Sequence, residues 1–358
     1  MSDTEGLSIA IYSDPGRTSM FLRRILGHPD QSWAQGASIT HHEALIPLRS
    51  DATLDLDEAL AWAQKDEAEL TIIVTEIPRM AKRRPKTLEL HFADRLGVIS
   101  LPSLGPAAIH RSLCRELARA VKALTHDSVE EAEHPPEKAA AQGQNLIGRV
   151  QGGFGSRVMD QQGRETVYIT PREPFPGRLW MTLGMVAANE PLRSLRKLSK
   201  MFSAAAATGA FGIFFTTIWE MATFLPSWRL GAVTVAAVVV LVLWLIVSNR
   251  LWDRSHTVGG KREAFMYNAS TLTSLAVSVG LLYLGLFTAI LGAGLLLIDP
   301  EFMTETIGEE ASFANYADIA WLSASMGTVA GAIGSNFDDD ADLRNLTQGS
   351  RELQRYPS

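Results

Sequence analysis

The chain has 358 residues, with 39 Asp and Glu against 33 Lys and Arg, for a net charge of −6. That balance argues against a nucleic-acid binder, which carries a strong basic excess on one domain. The single cysteine, Cys114, excludes an intrachain disulfide framework and a cysteine zinc cluster, and its place in the pattern Ile109, Leu113, Leu117, Val121 reads as a core thiol. The length allows two or three domains.

Met1–Gly6 is polar and acidic, and the first apolar run, Leu7–Tyr12, is too short for a signal peptide and leads directly into a turn. The first half is therefore expected in the cytoplasm. Over residues 1–126, β-branched runs alternate with helical patterns. Leu7–Tyr12 predicts a buried strand, Ser13–Gly16 a turn, Thr18–Leu26 a helix, Ser38–Leu45 a weaker strand and Asp55–Gln64 an acidic-capped helix. Leu70–Thr75 is the clearest strand and stops at Pro78. Pro85–Leu96 reads as a helix, Gly97–Leu101 as a strand ending at Pro102, and Ala107–Thr125 as a long amphipathic helix. Strands separated by helices imply right-handed crossovers. The expectation is a small, three-layer, parallel-sheet α/β domain of four or so strands, Rossmann- or flavodoxin-like.

Ligands collect at the carboxyl ends of the strands in such sheets. Asp14, Gly16, Arg17 and Thr18 follow the first strand, Glu76 and Arg79 the third, and Ser103 the last. Gly16 and Thr18 allow helix-terminal amides to approach an anion, and Arg17 and Arg79 can pair with it. The expectation is a pocket for a small anionic ligand, with ordinary turn chemistry as the alternative. Lys82-Arg83-Arg84 adds positive charge, facing either that pocket or anionic lipid headgroups. No G-x-x-x-x-G-K-[ST] or G-x-G-x-x-G follows the first strand. His41, His42 and Glu43 alternate faces and do not converge on a metal. Ser13 and Ser103 show no histidine and acid partners, and there is no G-x-S-x-G elbow.

Residues 127–178 read as a linker with a small extended segment: Asp127–Gln144 is rich in Glu, Ala, Pro and Gln, Gly152-Gly153-Phe154-Gly155 reads as a flexible turn, and Asn145–Ile169 leaves room for added strands because Thr166–Ile169 is extended. Residues 179–201 read as an interfacial helix on the inner leaflet or a cationic solvated one. There Leu192, Leu195 and Leu198 lie against Arg193, Arg196, Lys197 and Lys200, with a break at Pro191.

Residues 202–337 carry four apolar segments, Phe202–Leu225, Leu230–Ser248, Ala269–Ile298 and Tyr316–Phe337, against the roughly 20 residues that a hydrocarbon core requires. The expectation is a four-helix transmembrane bundle in the plasma membrane. Arg193–Lys200, Arg250–Arg262 and Arg344–Arg355 fall on one side, so both termini, including a tail over 338–358, are expected in the cytoplasm. The loop Asp299–Asn315 has acids and no base. Trp219, Trp228, Trp244, Trp252 and Trp321 read as interfacial anchors. Ser323, Gly327 and Gly331 form a small-residue stripe for helix packing, serving bundle closure or a homo-oligomer. Glu220 is read as the intramembrane acid, either reaching outer water or forming an ion or proton site.

Several segments carry a family resemblance: Val74–Arg79, where members tend toward LTDLPR; His91 with Gly97–Gly105; Leu183–Asn189; Tyr267–Thr271; and Ala320–Ala332. In these the chain resembles a family of four-span actinobacterial membrane proteins, some automatically named 5,10-methylene-tetrahydrofolate dehydrogenase. The resemblance implies a membrane-anchored architecture and assigns no reaction to any residue. Soluble enzymes of that name look like two-domain proteins with a Y-x-x-x-K pair and a G-R-S-x-x-V-G-x-P loop, and neither pattern occurs here.

The leading functional expectation is a membrane-anchored sensor or adaptor whose α/β domain binds a small anion or a protein partner. The alternatives are a transporter with a regulatory cytoplasmic domain, and an inner-leaflet enzyme acting on a cofactor or lipid with Asp14 or Glu76 as base.

Overall fold

The computed structural model describes residues 6–28, 32–34, 36–49, 54–81, 84–126, 153–159, 165–171, 176–188, 199–253 and 261–334. The Asp127–Gln144 linker, Lys82 and Arg83, the basic face at Arg193–Lys197 and the 338–358 tail lie outside them. The chain divides into two compact units, residues 1–188 with 254–267 and 348–358, and residues 189–253 with 268–347.

The first unit contains strands β1 (Ser8–Ser13), β2 (Ser38–Glu43), β3 (Leu70–Thr75), β4 (Met80–Ala81), β5 (Arg84–Pro85), β6 (Leu88–His91), β7 (Leu96–Ser100), β8 (Gly153–Met159) and β9 (Glu165–Pro171). Its helices are α1 (Arg17–Leu26), α2 (Leu56–Lys65), α3 (Ile109–Leu124) and α4 (Gly177–Ala188). Seven strands form one sheet in the order β2-β1-β3-β7-β6-β9-β8, while β4 and β5 pair separately. Neighbours from β2 to β7 run parallel, and those from β7 to β8 antiparallel. The sheet is thus mixed and larger than the parallel one of about four strands that the sequence suggested.

Two local corrections produce that difference. Pro85–Leu96, expected to be helical, is instead β5, β6 and the turn Phe92–Arg95, in which Arg95 takes φ 47°. The reason is the period: Leu88 and Leu90 are buried on one face while Glu89 and His91 point to the other, an alternation of two that no helix satisfies. Gly153, Phe154 and Gly155, expected in a flexible turn, lie in β8, which pairs with β9 along its whole length. The domain therefore does not end at residue 126, because β9 pairs with β6 from Leu88↔Ile169 to His91↔Thr166.

The sheet separates two apolar layers. On one face Ile9, Ile11, Ile72, Val74, Leu88 and Leu90 pack against α1 and α3. On the other, Ile73, Leu96 and Val98 pack against Ala59 and Leu60 of α2. Each fully buried Leu or Ile stabilises by about 1.5–3 kcal/mol. The first face is covered from β1 across to β9, whereas α2 is the one described helix over the second. Cys114 is half-buried against the α3 layer, and burial raises its thiol pKa.

The second unit contains α5 (Ser199–Phe214), α6 (Thr216–Phe224), α7 (Ser227–Ser248), α9 (Pro300–Ile307), α10 (Phe313–Gly334) and all but the first turns of α8 (Lys261–Leu297). Two helices, Ser227–Ser248 and Ala264–Leu297, are long and apolar enough to cross a membrane, or three if α5 and α6 count as one span. The expected first span is not straight: α5 and α6 meet at 86°. α10 has the length, at 22 residues, yet is not among the helices apolar enough. Asp318 near its start is a second acid beside Glu220 that the sequence reading passed over. Trp219, expected at an interface, is a core residue 3% exposed, and its Nε1 donates to the Gly212 carbonyl at 2.9 Å.

Candidate functional site

β1 and β3 end side by side, with α1 after β1 on one face and α2, between β2 and β3, on the other, the position at which doubly wound sheets bind ligands. Fully buried Asp14 accepts from Thr75 Oγ1 at 2.8 Å and from the Glu76 amide at 2.6 Å. Thr18 Oγ1 donates to Glu76 Oε1 at 3.3 Å. Gly16, at φ 92°, donates its amide to Glu43 Oε1 at 3.0 Å, and Ser19 Oγ and Arg23 Nη2 reach Glu43 Oε2 at 2.9 and 2.5 Å. The Gly16 amide, then the Ser19 hydroxyl, hold the Glu43 carboxyl below its usual range. An anion does sit at the start of α1, and it is the chain's own Glu43.

The remaining residues expected there lie elsewhere. Arg17 donates to the Ala188 carbonyl, and Arg79 pairs with Glu89. Ser103 is fully buried, donates to Ser100 Oγ at 3.0 Å, and accepts at its carbonyl from Trp180 Nε1 at 3.1 Å. The helix carrying Trp180 is α4, whose span begins at 177 and overlaps the expected interfacial helix. It packs on the short 3-10 turn Leu101–Leu104 at closest range: a Cβ on Gly184 would come within 1.9 Å of the Pro102 carbonyl oxygen, and one on Gly105 within 2.2 Å of the Trp180 ring. Met181 and Met185 are buried with Met266 and Tyr267. This stretch belongs to the α/β core, and the end of β7 is closed by it.

A different opening exists on the second face of the sheet. Beyond the edge of α2, residues of β6 and β9 that point away from α3 line a cavity of about 310 Å³. Its centre is Glu89, 8% exposed, whose Oε2 is 2.8 Å from Arg79 Nη2 and 3.3 Å from Lys86 Nζ. His91 Nε2 lies 3.5 Å from the other oxygen, an ion-pair distance without hydrogen-bond geometry, since that nitrogen has no hydrogen-bond partner. Burial opposes ionisation of Glu89, and Arg79, His91 and Lys86 outweigh it, holding the carboxyl well below the usual range. Lys86 Nζ also stands over the Tyr168 ring, 5.0 Å from its centre, a cation–π contact. Leu54, Leu56 and Leu60 supply an apolar wall, and at the rim Arg49 bonds Asp57 at 2.6 Å.

Of this cluster, the sequence points to Arg79, which lies in the expected loop after β3 but pairs with Glu89. Lys86, Glu89, His91 and Tyr168 were missed, although the alternation in Leu88–His91 and in Thr166–Ile169 marks them: each strand sends aliphatic side chains to one face and polar ones to the other.

Two smaller groups complete the inventory. Ser13 Oγ lies 2.9 Å from His41 Nε2, a histidine partner the sequence did not reveal, but Ser13 is fully buried and so cannot meet a substrate. Burial, then nearby Arg23, lowers the His41 pKa. Tyr12 hydrogen-bonds Asp66, which pairs with His42 at 3.1 Å, and burial followed by that bond raises the phenol pKa. Among the described residues, no three His, Cys, Asp or Glu side chains form a metal site.

In the second unit, Glu220 is exposed on α6. Ser323, Gly327 and Gly331 lie on the α10 face against α5: a Cβ on Gly327 would come 2.4 Å from the Ala205 carbonyl oxygen, and one on Gly331 would be 3.3 Å from Ala205 Cβ. Ser323 fills the space beside Gly212, whose added Cβ would meet Ser323 Oγ at 1.7 Å. No known family model, curated protein or solved structure matches the chain.

Proposed function

We propose that the protein is a membrane-anchored sensor or adaptor whose α/β domain binds a small ligand through a negatively charged group. The binding place is the cavity around Lys86 and Tyr168, not the strand ends, where Glu43 and α4 already occupy the space. One observation carries the reading: Arg79, Lys86 and His91 converge on one carboxylate, at a place on the second face beyond α2 where no described helix lies. A volume of about 310 Å³ is at the small end of the roughly 300–1,000 Å³ of ligand sites.

In this reading the apolar helices cross the bilayer four times, α5 with α6 forming the first crossing and α10 the last. Both termini then lie in the cytoplasm, a reading that the basic flanks in the sequence support. The exposed apolar side chains of α7, among them Val235, Val239, Leu243 and Val247, support burial in lipid. The test is thermal unfolding of the full-length protein in detergent against a panel of small organic and inorganic anions. At least one should raise the midpoint of the native protein, and the rise should vanish in Lys86→Ala. A panel without effect on the native protein would remove the ligand-binding part.

A further inference from the structure

We infer that the ligand of this cavity is a small monocarboxylate with an apolar body; the inference rests on the binding site proposed above and specifies its chemistry. Three features of the lining lead there.

The first is charge. Arg49, Arg79 and Lys86 are matched by Asp57, Glu89 and Asp94 around the opening. A phosphate ester or polyphosphate would bring two or more negative charges into a site whose cations already face an equal number of carboxylates, and like charges held close in a partly buried site are costly. A single negative charge is the most the site can take up at modest cost.

The second is the donor inventory. A lysine ammonium has three donors and a guanidinium five, while a carboxylate has about four acceptor positions. Glu89 engages one nitrogen of Arg79 and one contact of Lys86. The Tyr168 hydroxyl adds a donor at the end of a ring already held by Lys86. Among the described residues Arg79 Nη1 is buried without a hydrogen-bond partner, and with Lys86 and Tyr168 on the same lining it calls for an acceptor; a carboxylate supplies two oxygens.

The third is the opposite wall. Leu54, Leu56 and Leu60 face the opening and offer no polar atom from their side chains. A ligand that is polar throughout would desolvate its far end there without compensation, whereas an alkyl or phenyl body gains about 25 cal/mol for each Å² removed from water. An amphipathic acid satisfies both walls at once.

The experiment is calorimetric titration of the full-length protein in detergent micelles, with the heat of a protein-free micelle blank subtracted, using hexanoate, hexanol and inorganic phosphate. Hexanoate should bind saturably, with hexanol at least about tenfold weaker, which corresponds to about 1.4 kcal/mol for the carboxylate. Tyr168→Phe, which removes one hydroxyl and leaves the ring in place, and Lys86→Ala should each weaken hexanoate by a comparable factor. Tyr168→Phe should keep the unfolding midpoint of the ligand-free protein. If phosphate binds in a Lys86-dependent way and hexanoate does not, the class named here is wrong and the site survives. If hexanoate binds equally to all three proteins, it binds elsewhere and the inference falls. If neither anion produces heat on the native protein, this inference falls and the proposed site loses its support with it.

Discussion

Glu89 is the residue on which the cavity depends. Its carboxylate is the common partner of Arg79, Lys86 and His91, so Glu89→Ala leaves a half-buried guanidinium and ammonium without a counter-charge. Removing one partner of a buried pair costs about 3–5 kcal/mol, and chemical unfolding of the full chain in detergent should show a loss of that size. The pH dependence has a definite sign. A folded-state value held below the unfolded one contributes stability in full above the ordinary carboxylate range, and that contribution disappears as pH falls through the lower, folded value. Native protein should thus lose stability on acidification, and Glu89→Ala should show a weaker acid dependence. Asp14 makes a second residue-scale prediction. It accepts from a side chain and a backbone amide while fully buried, and Asp14→Ala should cost about 3 kcal/mol by orphaning both donors. That Asp14 and Glu76 lie together was legible from the sequence, because strand ends in a parallel sheet converge. That Arg79 turns away was not, since its direction depends on Glu89, ten residues on and inside the segment expected to be a helix.

At the scale of elements, the long periodic segments were readable and the short ones were not. Leu70–Thr75 is a strand to the residue, and α3 lies within the expected Ala107–Thr125 with its apolar stripe on the core. β7 matches the expected strand Gly97–Leu101 to within a residue, but its hairpin partner β6 was lost because four residues are too few to tell a period of two from one of 3.6. β8 was hidden by its glycines, which weaken strand propensity. The bend between α5 and α6 has no proline at Phe215, and its 86° angle leaves no compositional mark. Small residues were more informative: Ser323, Gly327 and Gly331 were picked out by their spacing, and α10 meets α5 along that face. Gly327→Ala drives a methyl toward a backbone carbonyl that a side-chain rotation cannot relieve, so it should destabilise by about 1–3 kcal/mol, read as a lower unfolding temperature in detergent. With the stripe engaged inside the unit, Gly327→Ala is expected to act on folding and to leave the oligomeric state in size-exclusion chromatography as it was.

For the whole molecule, composition alone separated an α/β half from an apolar helical half, because the charged and apolar residues are segregated along the chain. The seam was harder to locate: β8, β9 and α4 extend the first unit to residue 188. The proposed four crossings, with both ends in the cytoplasm, predict that reporter fusions at the N-terminus and at the C-terminus give the same topological signal in cells, and opposite signals would exclude an even number of spans. A fragment ending at residue 126 provides a companion measurement. It lacks Thr166 and Tyr168 on the cavity wall and leaves the β6 edge unpaired, so it should be more prone to aggregate than a fragment ending at residue 188.

The pairing of Leu88 with Ile169 also sets an order of events at the ribosome. Chains are made N-terminus first, at about 5–20 residues each second, so β1–β7 is out before its last two partners exist, and for several seconds the nascent sheet has an unfinished border. The β8–β9 hairpin closes that border before α7 and α8 have been synthesised, so the sheet can be completed before the two longest apolar helices exist. The clasp of Met266 and Tyr267 onto Met181 and Met185 arrives later, after α7 has been made, so this contact cannot guide the folding of the sheet.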